Sequence, residues 1–200
     1  MSAAPDFTGR RLLLIGSGAV AAMHLPFWLN WISANYPDVE TQVVLTPSAE
    51  RFVTLESVTL LTKREAVRDR WPDGAEVGAL HIRLLEWADT AVVYPACLNY
   101  LSRLALGLAD SPSLLALQCA ADIPIGIAPS LPPGASQNPV LAAHLRTLAD
   151  RPNVVVAPTV PSPSLTTGRT DAAGAAAVWT VLELVERRRK ELLDPVPAAA

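Results

Sequence analysis

The 200-residue sequence predicts an α/β fold, in which one parallel sheet carries helices on both faces. Three observations predict it. Short, uniformly apolar runs such as LLLI and QVVL are typical of buried strands, and longer segments with helical periodicity lie between them. Half of the residues are hydrophobic and 18% are charged, as in a chain that fills a core. The sequence contains no internal repeat, so we expect a single domain.

The predicted elements follow one another in alternation. The strands are the short apolar runs, namely residues 11–15, 42–46, 91–94, 123–128 and 154–157. The helices are the periodic segments, namely residues 19–34, 80–88, 98–109, 114–120, 140–149 and 172–193. Pro26 is expected to kink or restart the first helix, and Ser48 to cap a short helix through its hydroxyl. The charged stretch 62–77 is predicted as loop and irregular helix.

The domain is expected to span residues 11–193, after an N-terminal arm at 1–10 and before a frayed tail at 194–200. Residues 158–170 are rich in proline, serine and threonine, which predicts a mobile loop. The apolar run at 12–32 superficially resembles a signal peptide or a membrane span. Because polar residues, a proline and a Gly-Ser-Gly turn interrupt it, a strand followed by a helix is favoured and no membrane span is expected.

Charge and cysteine content argue against several function classes. The net charge is −3, so the chain has no basic field that would favour nucleic acid. Cys97 and Cys119 lie in apolar, core-like sequence surroundings, which suit reduced thiols in a cytosolic protein. Two cysteines cannot form a cysteine-rich zinc site and the three histidines lie far apart in sequence, so no metal site is predicted.

The carboxyl ends of the strands are where a parallel α/β sheet binds its ligands. Gly16-Ser17-Gly18 follows the first strand and can cradle a phosphate, because glycine lets backbone N–H groups approach and the next helix presents its positive end. A plain strand-to-helix turn is the alternative. The second strand ends at Thr46 and Ser48 without a clean acidic residue, which favours a mononucleotide over a dinucleotide.

Two further side chains are candidates for chemistry. His81 opens an amphipathic helix, where the helix dipole disfavours the imidazolium, so a neutral ring could act as a general base. The alternative is a polar residue at the start of a surface helix. Asn99 follows the third strand and could bind a flat heterocycle through its amide, or it could cap the next helix. Cys97 beside it could be a nucleophile, although no second histidine is close in sequence.

These segments, taken in order, resemble one family, the flavin-containing cysteine decarboxylases. LLLIGSGAVAA resembles the first strand and phosphate turn, and VVLTPSAERFV resembles the second strand with its Ser-Ala-Phe segment. HIRLLEWAD resembles the histidine segment before the third strand, and PACLNYLSRLALGLAD resembles the Pro-Ala-Ser-Ala-Asn-Thr motif. The resemblance runs from about residue 12 to 156 and implies a Rossmann-like or flavodoxin-like single domain.

The resemblance also implies a cofactor, a base and an assembly. It implies FMN, held by the residues that match the family's motifs: Gly16, Ser17, Gly18, Ala19, Thr46, Ser48, Phe52, Ala96, Cys97 and Asn99. It makes His81 the catalytic base. It implies a homo-oligomer built from trimers, up to a dodecamer, with flavin at the subunit contacts. The apolar residues Phe27, Trp28 and Trp31 would suit such contacts. The reduced thiols separately predict a cytoplasmic location.

One segment departs from the family pattern. The family's Pro-x-Met-Asn-x-x-Met-Trp motif, whose Asn grips the substrate carboxylate, aligns here with PSLPPGASQNP. Leu131 stands for the first Met and Pro132 for the Asn, and proline has neither a side-chain donor nor an N–H. Another group must bind the carboxylate, or the substrate differs. Arg169, in the TTGR segment that resembles the family's flexible clamp, could bind it.

The predicted function is therefore FMN-dependent oxidative decarboxylation of the C-terminal cysteine of a precursor peptide. The enethiol product would lead to aminovinyl-cysteine in lanthipeptide-like peptides such as lipolanthines and thioamitides, and a lanthipeptide-modifying partner enzyme could be involved. Phosphopantothenoylcysteine decarboxylase is an alternative, although the missing Asn and the lack of a cysteine in 158–170 count against it. Two further alternatives remain. One is a non-catalytic flavin-binding scaffold or regulatory subunit, and the other is a flavin prenyltransferase, a family that generally lacks the histidine segment.

Overall fold

The computed structural model describes residues 4–74 and 78–194, and a six-stranded parallel sheet forms its centre. The strands are β1 (Arg11–Gly16), β2 (Glu40–Leu45), β3 (Val67–Arg68), β4 (Thr90–Cys97), β5 (Ile125–Ser130) and β6 (Val154–Val156). Their spatial order is β3-β2-β1-β4-β5-β6, so the chain builds one side of the sheet outward from β1 and then the other side outward from β4. The predicted parallel α/β fold is confirmed.

Seven α-helices surround this sheet in the described part of the chain. They are α1 (Leu25–Asn35), α2 (Leu55–Thr62), α3 (Leu80–Trp87), α4 (Leu98–Ala105), α5 (Pro112–Cys119), α6 (Pro139–Ala149) and α7 (Val178–Leu193). Every predicted helix corresponds to one of them, whereas α2 was not predicted. Among the described residues, none of these helices has the length and apolar character needed to cross a membrane.

The core lies on both faces of the sheet because successive strand residues point to opposite sides. Leu12 and Leu14 of β1 are fully buried against α1, α2 and α7. Leu13 and Ile15 are buried in the cluster on the other face, with residues of α3 to α6. Each side chain buried in this way contributes about 1.5–3 kcal/mol relative to exposure, so the helices on both faces are held by apolar burial.

Three predictions for the first half of the chain have different outcomes. The helix expected at 19–34 is a 3-10 turn (Val20–His24) followed by α1, with Pro26 in its first turn, so the restart is confirmed. The hydroxyl cap at Ser48 is wrong, because the N–H of Ala49 is accepted by the Thr46 hydroxyl at 3.2 Å. Within the charged stretch 62–77, Val67–Arg68 pairs with β2 as an edge strand, while residues 75–77 lie outside the described residues.

The second half differs mainly before the last helix. Two short antiparallel strands, β7 (Val160–Ser162) and β8 (Ala172–Gly174), form a hairpin, so part of the loop predicted at 158–170 is a strand. The long helix predicted from residue 172 begins only at Val178. The reason is that Ala173 is engaged in backbone pairing, with Pro161 in β7 and with Leu131 after β5. Cys119 at the end of α5 is exposed, so its expected core-like surroundings are wrong, and Cys97 is half-buried.

Candidate active site

The candidate site lies where the order of the strands reverses. β1 and β4 are neighbours at the centre of the sheet, and the chain leaves their carboxyl ends in opposite directions. This topology opens a crevice at the carboxyl edge, which is where open α/β sheets bind ligands. A cavity of about 550 Å³ lies there, within the range of small-molecule and cofactor sites, about 300–1,000 Å³.

The cavity brings together residues that the sequence separates by up to about ninety positions. Its wall contains six of the predicted cofactor-binding residues, namely Ser17, Gly18, Thr46, Ser48, Cys97 and Asn99. Gly16, Ala19 and Ala96 directly adjoin these in the chain. Among the described residues, the wall does not include Phe52, His81, Leu131, Pro132 or Arg169. The structure therefore gathers the phosphate turn and the asparagine motif, and it places the remaining predicted residues outside this cavity.

Ser17 joins the turn after β1 to the end of β4. Its side chain is fully buried, its hydroxyl donates to the carbonyl of Pro95 at 2.6 Å, and the N–H of Cys97 donates to the same hydroxyl at 2.7 Å. The backbone N–H of Ser17 also donates to the Pro95 carbonyl at 3.2 Å. Because protein groups occupy this hydroxyl, Ser17 contributes to the site mainly by fixing the two turns against each other.

Gly18 brings the turn after β1 against the turn after β2. A Cβ at this position would lie 2.4 Å from the Cβ of Ser48, closer than real carbon atoms approach. Only glycine permits this contact. Ser48 is exposed at the cavity wall and its hydroxyl makes no capping hydrogen bond to the following 3-10 turn. The Ser48 side chain therefore lies at the cavity wall and has no role in capping.

Asn99 lies in the first turn of α4, which begins at the carboxyl end of β4. The residue at the N-cap position is Cys97, and its side chain makes no capping hydrogen bond. The alternative in which Asn99 caps this helix is therefore wrong. The exposed amide of Asn99 and the uncapped first turn of α4 both lie at the cavity. A helix start of this kind offers unpaired N–H groups and the positive end of a helix dipole.

A buried carboxylate that the sequence analysis missed lies in the cavity wall. Asp69, only 4% exposed, follows β3 and accepts three hydrogen bonds, from the Ser111 hydroxyl (2.9 Å), the Ser113 N–H (2.8 Å) and the Ser113 hydroxyl (2.7 Å). The Tyr100 hydroxyl lies 2.8 Å from the Ser113 hydroxyl, and burial raises the pKa of Tyr100 far above its ordinary value. This network ties β3, α4 and the start of α5 together. In the sequence, the only indication of this network was that Asp69 directly follows β3, a strand that the sequence analysis did not predict.

Trp71 connects the cavity to His81. The indole lines the cavity, and its N–H donates to the carbonyl of Asp110 at 3.1 Å. The Asp110 carboxylate in turn accepts from Arg103 Nε at 3.2 Å. The imidazole of His81 meets the indole ring in an edge contact, with ring centroids 5.8 Å apart. Trp71 thus holds His81 beside the cavity.

His81 lies in the first turn of α3 and is half-buried. Its Nδ1 atom is buried and has no hydrogen-bond partner among the described residues. Buried polar atoms are normally paired, and an exception needs a reason. His81 thus lies next to the cavity, in contact with Trp71 of its wall, with one ring nitrogen that has no partner among the described residues.

The predicted substrate segment and the predicted clamp form one unit beyond β5. Ser130 pairs with Cys97 in the sheet, and Leu131 then exchanges two backbone hydrogen bonds with Ala173, at 2.7 and 3.1 Å. Leu131 is buried at 5% exposure and Pro132 is exposed. Arg169, at the hairpin, pairs with the carboxylate of Asp171 at 2.6 Å. The chain therefore leaves the sheet beside the asparagine motif and runs directly into this unit.

The donors around the cavity fit the expected FMN. A phosphate would suit the glycine turn, the Ser48 hydroxyl and the uncapped start of α4. A polar ring edge would suit the amide of Asn99. Across the described ranges, no cluster of three or more metal-binding side chains occurs.

The chain is similar to known flavoproteins over almost its whole length. The family model Flavoprotein matches residues 2–190. The chain is 32% identical over 154 residues to the "cypemycin cysteine dehydrogenase (decarboxylating)" of a Streptomyces species, which covers 77% of this chain and 79% of the relative.

The chain is also similar to solved structures of cysteine decarboxylases. The cypemycin decarboxylase CypD has 29% sequence identity and a TM-score of 0.70, and the match covers 93% of this chain and 97% of that one. TvaF, described as an FMN-dependent cysteine decarboxylase from thioviridamide biosynthesis, has 26% identity and a TM-score of 0.71, covering 90% of this chain and 98% of that one. The single-domain α/β fold is thus shared with these enzymes over 90% or more of this chain.

Proposed function

The chain belongs to the Flavoprotein family, and from this premise we propose that it is an FMN-dependent enzyme that oxidatively decarboxylates the C-terminal cysteine of a precursor peptide. One observation carries the proposal: a cysteine dehydrogenase (decarboxylating) is 32% identical over about three quarters of both chains. The product would be an enethiol, the precursor of aminovinyl-cysteine in peptide natural products such as lanthipeptides.

FMN would be held mainly by backbone and small polar groups at the β1–β4 crevice. Gly18 gives backbone access, the Ser48 hydroxyl faces the cavity, and the first turn of α4 offers its N–H groups to an anion. The amide of Asn99 suits a ring edge that both donates and accepts hydrogen bonds. Ser17 supports these residues by fixing the β1 turn to Pro95 and Cys97.

The reaction needs an electron sink, because direct loss of carbon dioxide from cysteine would leave an unstabilised carbanion. When bound, FMN supplies a two-electron acceptor for oxidation of the cysteine Cβ–S unit. Oxidation to a thioaldehyde places a thiocarbonyl β to the carboxylate, so carbon dioxide can leave and an enethiol forms. The net change is the loss of carbon dioxide and two hydrogens.

His81 is assigned the role of general base in this reaction. Its unpaired, buried Nδ1 and its contact with Trp71 beside the cavity support the assignment. The imidazole would accept the proton that the substrate releases as the Cβ–S unit is oxidised. Trp71 would keep the ring in place, since the Asp110 carbonyl anchors the indole.

The substrate side of the site would be the unit beyond β5. Leu131 and Pro132 would contact the peptide, and Arg169 would bind its C-terminal carboxylate. The paired backbones of Leu131 and Ala173 support this assignment, because they hold the segment and the hairpin together next to the asparagine motif.

We also propose a cytoplasmic homo-oligomer built from trimers, up to a dodecamer. An aromatic surface on α1 and α7 supports an assembly: Phe27 is 59% exposed and Trp179 is 41% exposed. Trp28 and Trp31 pack against Trp179, with ring centroids 5.4 and 5.5 Å apart. An exposed aromatic surface of this kind favours association. A lanthipeptide-modifying enzyme is the expected heterologous partner.

The test is the visible spectrum of the purified protein, followed by incubation with peptides that end in cysteine. We expect bound FMN and a product lighter by carbon dioxide and two hydrogens. Loss of carbon dioxide alone, from phosphopantothenoylcysteine, would support the coenzyme A pathway enzyme instead. Bound FMN with no turnover would favour a flavin-binding scaffold, and transfer of a prenyl group to the flavin would identify a prenyltransferase. A protein that takes up no FMN would exclude all four.

A further inference from the structure

A second cavity lies beside the crevice. It has a volume of about 800 Å³, and its wall is formed by β3 with the residues around it, by Gln42 of β2 and by α3. Arg70 and Pro72 line both this cavity and the crevice, so the short segment after β3 separates the two. A ligand that is longer than the crevice can therefore extend past Pro72 into this space, which we call the β3–α3 cavity.

Positive charge is concentrated in the β3–α3 cavity. Its wall contains four arginines and one acidic residue, namely Arg64, Arg68, Arg70, Arg83 and Glu65. The whole chain has a net charge of −3, so this concentration runs against the overall balance. Carboxylates from outside the wall pair with Arg68 and Arg70, so neither of these two is assigned to a ligand.

Arg64 is held in a fixed position in this wall. Its guanidinium lies over the indole of Trp87, 4.4 Å from the ring centroid, and its Nε donates to Oε1 of Gln42 at 3.2 Å. Gln42 is only 8% exposed, and its amide nitrogen donates to the carbonyl of Glu65 at 2.8 Å. Arg64 Nη1 donates to Glu40 at 2.8 Å, whereas Nη2 has no hydrogen-bond partner among the described residues. A stacked guanidinium with one unpaired amino group is arranged to donate to a further acceptor.

The remainder of the wall suits a peptide better than a small anion. Leu84 is 4% exposed, and Val67 and Leu80 pack against the apolar core on this face of the sheet. β3 is the last strand in the order of the main sheet, so it presents an edge to the cavity. Strand edges flanked by side-chain pockets are a common site for extended peptides. The wall thus combines an edge strand, apolar side chains and one directed cation.

We propose that the β3–α3 cavity binds the segment of the precursor peptide that precedes its C-terminal cysteine, and that Arg64 selects peptides with an acidic side chain in that segment. The inference rests on the proposed function and names a feature of its substrate. The strand order supports it, because β3 lies on one side of β1 and β4, whereas β5, which leads to the proposed carboxylate clamp, lies on the other. A peptide with its carboxyl end at the hairpin and its cysteine at the crevice would direct its preceding residues toward β3.

The expected selectivity is moderate and depends on position. Arg64 keeps 35% of its side-chain surface accessible and already donates to Glu40. Ion pairs with this exposure contribute little, so one correctly placed glutamate should strengthen peptide binding about three- to fivefold. Because Trp87 and Gln42 fix the guanidinium, the gain should be confined to one position of the peptide or two neighbouring ones. A diffuse basic surface would instead favour glutamate at every position.

The experiment measures binding rather than turnover. The FMN-loaded protein is titrated with fluorescein-labelled decapeptides that end in serine, which cannot be oxidised as a thiol can, and fluorescence anisotropy is recorded. The parent peptide contains only alanine and glutamine before the serine, and a single glutamate is moved through the positions of the set. Wild type should bind one peptide, or two with neighbouring glutamate positions, about three- to fivefold more tightly than the parent.

Variants of Arg64 test whether this side chain carries the preference. Arg64→Gln should abolish the preference for glutamate while affinity for the parent peptide stays the same. Arg64→Met, which keeps an unbranched side chain over Trp87 without the charge, should give the same result. Arg10→Gln is the matched control: Arg10 forms an exposed pair with Asp38 at 3.0 Å, and its loss should leave the preference intact. Retained FMN absorbance and circular dichroism would show that each variant is folded.

The outcomes distinguish this peptide site from the proposed function. A preference that both Arg64 variants retain, or one that is equal at all positions, would refute the site. A change of oligomeric state in these variants, without any wild-type preference for glutamate, would show instead that a second copy of the chain covers the cavity. Cysteine peptides that the wild type decarboxylates without any preference for glutamate in binding would preserve the function and refute the site. Absence of both peptide binding and decarboxylation would refute both.

Discussion

The cofactor end and the substrate end of the candidate site are built from different interactions. At the crevice between β1 and β4, the fully buried Ser17 hydroxyl joins two turns, and Gly18 packs directly on Ser48. At the hairpin, which we propose as the substrate end, Arg169 and Asp171 form an exposed ion pair. We therefore expect substitutions at the crevice to alter the shape of the cofactor site, and substitutions at the hairpin to alter only the binding of the peptide.

The largest effect is expected at the proposed base, His81, which contacts Trp71 of the cavity wall. His81→Asn should lower the single-turnover rate by about 10²–10⁴-fold while FMN stays bound, because proton transfer is lost and the crevice is unchanged. Rapid mixing with a cysteine-terminated peptide would measure this rate. His144→Asn is the control, since His144 is also half-buried, lies 3.1 Å from the Ser102 hydroxyl and is not among the predicted site residues. A His81→Asn enzyme with wild-type rate would remove His81 from the mechanism.

Breaking the close contact of the crevice should have the next largest effect. Gly18→Ala would put a methyl group 2.4 Å from the Cβ of Ser48, and overpacking of this kind costs about 1–3 kcal/mol. We expect FMN affinity to fall about tenfold or more, as measured by titration of the apoprotein with FMN. Gly74→Ala is a matched control, because a Cβ there would meet nothing within 4 Å. Equal FMN affinity in both variants would show that the two turns do not shape the cofactor site.

A smaller effect is expected where only a hydrogen bond is removed from the crevice. Asn99→Ala should weaken FMN binding by about two- to tenfold, the value of a typical hydrogen bond, and should leave the unfolding free energy almost unchanged. The residue is exposed and does not cap α4, so its loss should not disturb the helix. Equilibrium dialysis and chemical denaturation measure the two quantities. A large loss of stability with unaltered FMN affinity would assign Asn99 a structural role instead.

The sequence predicted those features that depend on local pattern. Apolar runs identified five of the six strands of the main sheet, and the ends of those strands identified the edge where Gly18, Ser48 and Asn99 meet. Apolar runs can be read from a single sequence because buried strands need apolar residues. Strand ends indicate the site because the carboxyl ends of parallel strands lie along one edge of the sheet.

The features that were missed depend on contacts between distant segments. β3 has two residues within a charged stretch, so no periodicity indicated it, and Asp69 after it became meaningful only once Ser111 and Ser113 were seen to bond it. Residues 172–174 have the alanine content of a helix, yet their backbone pairs with β7 and with Leu131. Tertiary pairing overrode local preference there.

The five tryptophans of the chain lie in separate environments, so their fluorescence should respond to different events. Trp28, Trp31 and Trp179 form the aromatic surface on α1 and α7, Trp87 stacks under Arg64 at 4.4 Å, and Trp71 alone among the described tryptophans lines the crevice. A yellow cofactor bound in the crevice would quench the emission of Trp71 most strongly, because Trp71 lies nearest to it. Burial of the aromatic surface between subunits would instead shift the emission of the other group toward shorter wavelength. Unlabelled protein would therefore report cofactor uptake and subunit association as two distinguishable fluorescence signals.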